Sequence, residues 1–304
     1  MGIIFGPINS RRFGKSLGID LSPNIKQCNF DCLYCELKAS KVTDRYLDII
    51  DIDKIKKELN IALKKYSDIS VITITANGEP TLYPYLDNLI DYVNSIKGTK
   101  KSLILSNSST IDKIEVQNSL LKFDIVKLSL DCATRRCLKR LDRAEQNIDI
   151  ENIKKGILEF NKKFKNELII EILFVKGIND NKNEISKLNE FLEKLNPTRV
   201  DIGSIDRPPA YRVEPLSYNK LREISFEFNP KIPINIVSRK NIELSPNYYS
   251  QEQILDTLKK RPLTKEDINI LFDKESKENL NNLLKKGYIE SIDRLNYTFF
   301  TIKS

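Results

Sequence analysis

The sequence predicts an α/β fold, in which six βα units form a partial TIM-like barrel and a small winged-helix-like module follows. From residue 17 to about residue 237, short β-branched or leucine-rich runs alternate with amphipathic stretches, as in consecutive βα units. After residue 244 this alternation stops. A chain of 304 residues is long enough for one large and one small domain. We place the domains at residues 1–247 and 248–304.

The apolar runs predict strands near residues 17–21, 71–75, 102–105, 125–130, 168–174 and 199–205. The amphipathic stretches predict helices near residues 53–66, 85–97, 112–121, 150–163 and 184–195. Right-handed crossovers wind such units in one direction, and ligands then bind at the carboxyl ends of the strands. The turns after the strands are therefore the place to look for function.

The C-terminal part reads as three helices and a hairpin. Helices are predicted at 250–260, 264–272 and 276–286, with Thr264 and Asp267 spaced as a capping box and Gly287 ending the third. Strands at 288–292 and 297–302 then pair, an order typical of a winged helix. Acidic residues nearly balance basic ones here, although Lys285, Lys286 and Arg294 form a local basic edge. We therefore favour substrate presentation or protein contact over sequence-specific DNA reading.

Three cysteines follow the first predicted strand. Cys28, Cys32 and Cys35 have C-x3-C-x2-C spacing, and Tyr34 stands directly before the last. Three thiolates on a short loop can hold three irons of a [4Fe–4S] cube and leave the fourth iron open. A closed metal site needs a fourth ligand, but the chain has no histidine and the loop no fourth cysteine. The spacing alone also permits a zinc site completed from elsewhere, by another cysteine or a carboxylate, or simply reduced thiols in a core.

Polar turn motifs follow the other five strands, at residues 77–81, 106–109, 129–131, 176–180 and 206–209. Ordinary βα turns use the same residue types. Their joint placement with the three cysteines at one face favours a ligand site.

The cysteine spacing and the Gly-Glu-Pro turn at 78–80 resemble the radical S-adenosylmethionine (SAM) superfamily. Segments 6–18, 78–82, 207–210 and 214–217 resemble the group that contains the wyosine-tRNA (4-demethylwyosine) synthases, over nearly all of residues 1–240. The resemblance implies that the three cysteines ligate a [4Fe–4S] cluster, that SAM chelates the open iron, and that an electron from the cluster cleaves SAM to methionine and a 5′-deoxyadenosyl radical. Characterised 4-demethylwyosine synthases carry further cysteines before this motif for a second cluster, and here none precedes Cys28.

The same resemblance suggests cofactor contacts. Tyr34 would lie against the adenine or shield the cluster, and Gly78, Glu79 and Pro80 would form the turn that binds the SAM amino group. In this turn, Glu79 either accepts a hydrogen bond from SAM or fixes the turn. Polar groups at strand ends would contact the SAM carboxylate or ribose, or cap their own turns: Asn107, Ser129 and Asn179.

Four arginines are candidates for an anionic substrate or the SAM carboxylate, because a guanidinium offers bidentate donors: Arg11, Arg12, Arg143 and Arg207. Cys132 and Cys137 follow the fourth strand. They are candidates for an auxiliary metal site or a radical relay, or are two buried thiols.

Composition indicates which kinds of partner and which cellular location to expect. A net charge of +8 favours polyanions such as tRNA or another nucleic acid. No apolar run is long enough to cross a bilayer, and no targeting segment is recognisable at the N-terminus, so we expect a cytoplasmic protein, without membrane contact, whose thiols stay reduced.

The leading hypothesis is a radical SAM enzyme that modifies tRNA or another nucleic acid, supplied with electrons by a donor such as ferredoxin or flavodoxin. One alternative is radical modification of a protein or peptide partner bound through the C-terminal module. Another is a non-catalytic iron–sulfur sensor with winged-helix DNA binding. The Gly-Glu-Pro turn favours an enzyme, since a sensor needs no SAM pocket.

Overall fold

One sheet of eight strands, laid side by side in chain order, organises the first 237 residues. The computed structural model describes residues 2–10, 13–229, 231–237, 246–260, 263–294 and 297–303. The strands are β1 (Ile4–Ser10), β2 (Gly14–Asp20), β3 (Val71–Thr75), β4 (Lys101–Ser106), β5 (Ile125–Ser129), β6 (Glu167–Phe174), β7 (Arg199–Ser204) and β8 (Ile234–Ile236). β1 is antiparallel to β2, and every later neighbour is parallel. The carboxyl ends of β2 to β8 therefore meet at one edge, which we call the carboxyl edge.

Helices connect the parallel strands. They are α1 (Ile52–Lys65), α2 (Leu86–Ile96), α3 (Ile114–Leu120), α4 (Arg135–Cys137), α5 (Ile150–Lys163), α6 (Lys182–Leu195) and α7 (Tyr218–Ser225). A 3-10 helix covers Pro80–Leu82, and a π-helical turn, Leu138–Asp142, continues α4. Asp51, Asp149 and Asn181 cap three of the helices by accepting hydrogen bonds from first-turn amides.

The α/β class with a parallel sheet is confirmed, and the six predicted strands lie where the sequence indicates, β3 and α5 with the expected bounds. Sequence reasoning missed β1, β8, α4 and α7. β1 contains Gly6 and Pro7, which normally mark turns. β8 has only three residues and directly follows Pro233. Such short or interrupted runs carry too little periodicity to predict a strand.

The C-terminal region, which we define as residues 246–303, has its own elements: α8 (Gln251–Lys260), β9 (Leu263–Thr264), α9 (Lys265–Leu271), α10 (Lys274–Lys285), β10 (Ile289–Arg294) and β11 (Tyr297–Ile302). The strand order is β10-β11-β9. The helices and hairpin lie close to their predicted positions, whereas the two-residue strand β9 was not expected. The side chains of the expected capping box at 264 and 267, the side chain of Arg294 and the hairpin turn at 295–296 lie outside the described residues.

Among the described residues, hydrogen bonds link the C-terminal region to β1 and to the end of α1. Tyr249 Oη donates to the carbonyl oxygen of Pro7 at 3.3 Å, and Gln253 Nε2 donates to Tyr66 Oη at 3.3 Å. The boundary at 247/248 stays a prediction. Among the described residues, no helix combines the length and apolar character that crossing a membrane requires.

Candidate active site

A buried glutamine holds the segment that carries the three cysteines, which we call the cysteine loop (residues 27–35). Gln27 is 1% exposed. Its Oε1 accepts from the backbone amides of Leu47 and Asp48 at 2.6 and 2.8 Å. Its Nε2 donates to Ser22 Oγ and the Asp48 carbonyl, both at 2.9 Å. Because the amide fills two acceptor and two donor positions, it fixes the backbone immediately before Cys28.

The cysteine loop and the Gly-Glu-Pro turn after β3 form one unit. The backbone amide of Gln27 donates to the Asn77 carbonyl at 2.9 Å, and that of Glu79 donates to the Gln27 carbonyl at 2.9 Å. Gly78 lies between these bonds with φ +144°, and a Cβ there would be 1.8 Å from the Gln27 carbonyl oxygen. Only glycine permits this conformation and this approach. Gly78 is therefore required for the position of the cysteine loop.

Glu79 uses its carboxylate to join the carboxyl ends of β3 and β4. It is fully buried, and its Oε1 accepts from Thr81 N, Thr81 Oγ1 and Ser106 Oγ at 3.0, 2.7 and 2.8 Å. Its Oε2 accepts from Asn107 N at 2.6 Å. Burial raises the pKa of Glu79 although these hydrogen bonds lower it. Of the two roles expected for Glu79, the structure shows the fixing of the turn, and Pro80 begins the 3-10 helix after it.

Asn107 connects this network to the first cysteine. Its Nδ2 lies 3.5 Å from Cys28 Sγ and donates to Asn29 Oδ1 at 3.0 Å. The Phe30 amide also points at Cys28 Sγ, at 3.4 Å. Two N–H donors thus face one sulfur, an arrangement that stabilises the sulfur when it carries negative charge.

The three thiols lie in a protected environment. Cys28 is buried, while Cys32 and Cys35 are half-buried by side-chain exposure. Burial raises the pKa of all three above its ordinary value. Lys26, paired with Asp31 at 3.1 Å, interacts electrostatically with Cys35 and Cys28 and favours their thiolate forms.

A cavity opens beside the cysteine loop at the carboxyl edge, lined by residues that include Tyr34, Asn107, Ser129, Asp131 and Asp142. Tyr34 Oη donates to Asp131 Oδ2, and Leu173 N donates to Asp131 Oδ1 at 2.6 Å. Burial raises the pKa of both Asp131 and Asp142, and the two carboxyl groups repel each other's charge. Sequence reasoning assigned these aspartates no role; the signal was the position of Asp131 directly after a strand end.

Comparison with known families identifies the superfamily of the chain. A family model described as "Radical SAM superfamily" matches residues 25–189. The chain belongs to the radical SAM superfamily. A UPF0026 protein of Helicobacter pylori (strain J99) is 38% identical over 289 residues, which cover 94% of this chain and 93% of the relative. The Exiguobacterium sibiricum protein called "Probable dual-specificity RNA methyltransferase RlmN" is 23% identical over 180 residues, 55% of this chain and 48% of that one.

Solved structures agree on the fold. A radical SAM methyltransferase from Sphaerobacter thermophilus superposes with a TM-score of 0.57 at 12% identity, covering 74% of this chain and 67% of that one. Archaeal TYW1 superposes with a TM-score of 0.42 at 13% identity, and the match covers 94% of this chain and 78% of that one. The sequence relatives are UPF0026 proteins. The narrower grouping with wyosine-tRNA synthases, expected from the motifs, stays a prediction.

Radical SAM enzymes use a [4Fe–4S] cluster and SAM, and this chain is such an enzyme. When bound, the pair supplies one-electron cleavage of the SAM sulfonium. The donor set fits such a cluster: three sulfurs lie on one short loop, two N–H groups face Cys28, and a cavity adjoins the loop. Among the described residues, no three Cys, Asp or Glu side chains already surround a common metal position. The fit therefore rests on the type and placement of the donors.

For Asn179, the structure shows the second of the two expected roles, support of its own turn. It is fully buried, its Nδ2 donates to the carbonyls of Asp131 and Leu173 at 2.8 and 2.9 Å, and its Oδ1 accepts from Val175 N at 2.7 Å. It therefore braces the loops after β5 and β6. These backbone groups engage its amide, and a contact of Asn179 with SAM stays a prediction.

The arginines expected to bind anions are paired within the chain where they are described. Arg143 lies 3.6 Å from Asp31 and stacks over the ring of Tyr211 at 4.6 Å. Arg207 pairs with Glu36. Arg11 and Arg12 lie outside the described residues.

The segment after β7 covers the cysteine loop. Ala210 N donates to the Cys35 carbonyl at 2.8 Å, Tyr211 Oη donates to Asp31, and Arg207 pairs with Glu36 just after the loop. The Arg-Pro-Pro-Ala motif and the cysteine motif are therefore in direct contact.

Cys132 and Cys137 are joined by a disulfide, with their Cα atoms 5.4 Å apart. This differs from the expectation that all five cysteines are reduced. The five-residue separation and the turn into α4 bring the two side chains together. In this state neither sulfur is free to ligate a metal or to relay a radical.

Proposed function

We propose that this radical SAM enzyme holds three irons of its cluster through Cys28, Cys32 and Cys35 and modifies tRNA or another nucleic acid. The observation that supports the cluster assignment is the junction of the cysteine loop with the Gly-Glu-Pro turn at Gly78. It joins the loop that carries the three sulfurs to the backbone of that turn at the carboxyl edge, and the cavity lies next to the same loop, at Phe30 and Tyr34. Ligands of sequential parallel sheets bind at this edge.

The cavity lining supports a division of roles in SAM binding. Because Glu79 is engaged by three residues of its own chain, we assign the SAM amino group to backbone atoms of residues 78–80. Asn107, Ser129 and Tyr34 line the cavity and supply polar contacts for the rest of the cofactor. Burial raises the pKa of Asp131 and Asp142, and these two aspartates are candidates for holding a proton near the substrate.

Charge and a distant relative support the nucleic-acid substrate. The net charge of +8 favours a polyanion, and the RlmN relative is named as a probable RNA methyltransferase. We also propose that residues 248–304 form a winged-helix-like domain that presents the substrate. The order α8, β9, α9, α10, β10, β11 with a small sheet supports this assignment. A flavodoxin- or ferredoxin-type electron donor and a cytoplasmic location complete the proposal.

The test is mass spectrometry of RNA nucleosides and of proteins from cells with and without the chain. A matched control carries Cys28→Ala, Cys32→Ala and Cys35→Ala. We expect a modified nucleoside in the tRNA or ribosomal RNA fraction that only the wild-type gene restores. A mass difference confined to a protein would replace the nucleic-acid substrate with the protein-modifying alternative.

A further inference from the structure

We propose that the turn at residues 135–140 is the surface on which a structured RNA substrate places its phosphates, an inference that rests on the nucleic-acid function proposed above. Four cationic side chains stand there on one exposed face and line one open surface pocket: Arg135, Arg136, Lys139 and Arg140. We call this set the basic turn.

The local fold aims all four cations outward. Cys137, Leu138 and Leu141 of the same stretch are buried in the main core, while the four cationic side chains are exposed. The Thr134 cap, whose Oγ1 accepts from Cys137 N at 3.2 Å, starts α4 and sets this register. The alternation of two exposed cations and two buried apolar residues therefore makes a rigid cationic surface rather than a flexible tail.

No carboxylate of the described residues forms an ion pair with any member of the basic turn. Acidic groups nearby are engaged elsewhere: Asp131 and Asp142 are buried, and Glu184 accepts from Thr134 Oγ1 and Ala133 N. By contrast, Arg143 and Arg207 pair with their own chain's carboxylates. Four like charges repel one another without a counter-ion, so the surface favours a ligand with several negative charges. Closely spaced phosphates of an RNA backbone provide them.

The two residues that directly follow the basic turn connect it to the candidate active site. The carbonyls of Leu141 and Asp142 accept from Leu33 N at 2.8 Å and Asp31 N at 3.0 Å in the cysteine loop. Leu138 lines the same cavity as Tyr34. An RNA whose phosphates contact the basic turn is thereby placed beside the cavity, so the turn is a positioning surface and not part of the chemistry.

A charge-reversal pair tests this assignment. The holoenzyme variant Arg136→Glu/Arg140→Glu is compared with the control Lys162→Glu/Lys165→Glu, which makes the same change of charge. Lys162 and Lys165 are exposed and flank the end of α5, where the chain enters β6 at the opposite edge of the sheet. The milder variant Arg136→Gln/Arg140→Gln separates loss of contact from repulsion. Affinity for bulk tRNA is measured from low to moderate KCl, and 5′-deoxyadenosine release without substrate is measured in parallel.

We expect the Glu pair in the basic turn to weaken tRNA binding about 10-fold or more and to reduce the slope of log affinity against log salt by about 1–2, because about two phosphate contacts are lost. The Gln pair should show a smaller loss, the control pair less than about a 3-fold change, and all variants wild-type 5′-deoxyadenosine release. Equal losses in the basic-turn and control pairs, or no loss in the Gln pair, would overturn the surface while leaving RNA as substrate. Absence of tRNA binding by the wild type at low salt would overturn both.

Discussion

The carboxyl edge of the sheet and the C-terminal region are stabilised by different kinds of contact. At the carboxyl edge, buried Gln27, Glu79 and Asn179 bond to groups 20, 28 and 48 residues away. In the C-terminal region, the core is mainly apolar, with Ile254, Leu258 and Phe272 at its centre. Buried polar groups are costly unless every one is hydrogen-bonded. Gln27, Glu79 and Asn179 meet this condition, and their hydrogen bonds fix the cysteine loop or the loops beside the cavity.

Iron binding should show the largest effect, and only the cysteine loop within the carboxyl edge should determine it. After anaerobic reconstitution, the wild type should hold about four irons per chain, and the triple variant Cys28→Ala/Cys32→Ala/Cys35→Ala almost none. The matched control Cys132→Ala/Cys137→Ala should keep its iron, because that disulfide lies outside the cysteine loop. Iron analysis with visible absorption measures both. Retention of iron by the triple variant would contradict the assignment of the three cysteines as cluster ligands.

Two glycines with positive φ, one in each region, allow a direct comparison of the carboxyl edge with the C-terminal region. Gly78 meets the Gln27 carbonyl, whereas nothing lies within 4 Å of a Cβ at Gly287 in the C-terminal region. Gly78→Ala should therefore lower the free energy of unfolding by about 3 kcal/mol and prevent iron uptake. Gly287→Ala should cost only the backbone penalty of about 1–2 kcal/mol. Urea unfolding and iron content measure the two effects, and equal losses would contradict the role of Gly78.

Two capping carboxylates give a smaller contrast. Glu79→Gln replaces an acceptor with an amide donor facing Ser106 or Asn107, and should cost about 2–3 kcal/mol and weaken SAM binding while the cluster persists. Asp273, which accepts from Ser276 N at 2.8 Å at the start of α10, caps a helix as asparagine also does. Asp273→Asn should therefore change stability by less than about 1 kcal/mol. Thermal unfolding and SAM titration test this pair, and SAM affinity unchanged in Glu79→Gln would count against the turn as a cofactor site.

The contact between the regions should matter least. Tyr249→Phe removes the hydrogen bond to the Pro7 carbonyl, and Gln253→Ala removes the one to Tyr66. Each should cost about 1 kcal/mol or less, with iron content unchanged. A loss of iron in either variant would show that the C-terminal region supports the cysteine loop directly, and the two regions would no longer count as independent.

Much of the fold follows from periodicity, but the support of the site does not. Strand β3 and helix α5 carry strong patterns and appear with the expected bounds. The β-bridge between Gln27 and Gly78 joins residues 51 positions apart in the sequence, and no local rule predicts such a contact. For the same reason, the sequence left open whether Glu79 and Asn179 contact SAM or support their own turns, and only the structure shows that their side chains bind their own chain. Residue type and position at a strand end predict that a polar side chain lies at the carboxyl edge. They do not predict whether that side chain faces the cavity or bonds to neighbouring groups of its own chain.

The basic turn shows a second limit of prediction from the sequence. Its four cations stand among Thr134, Cys137 and Leu138 in a stretch without a recognised motif. Net charge predicted a polyanionic partner for the whole chain, but only burial separates the exposed cations from the apolar residues between them. The sequence therefore predicts that the partner is a polyanion, but only the structure locates the surface that would bind it.

The most direct measurement is release of 5′-deoxyadenosine by the reconstituted protein with SAM and dithionite, followed by liquid chromatography and mass spectrometry. The wild type should release it slowly without substrate and faster with its RNA, and Cys35→Ala should release none. A wild-type protein that binds about four irons and SAM but forms no 5′-deoxyadenosine, with or without RNA and protein extracts, would contradict the account.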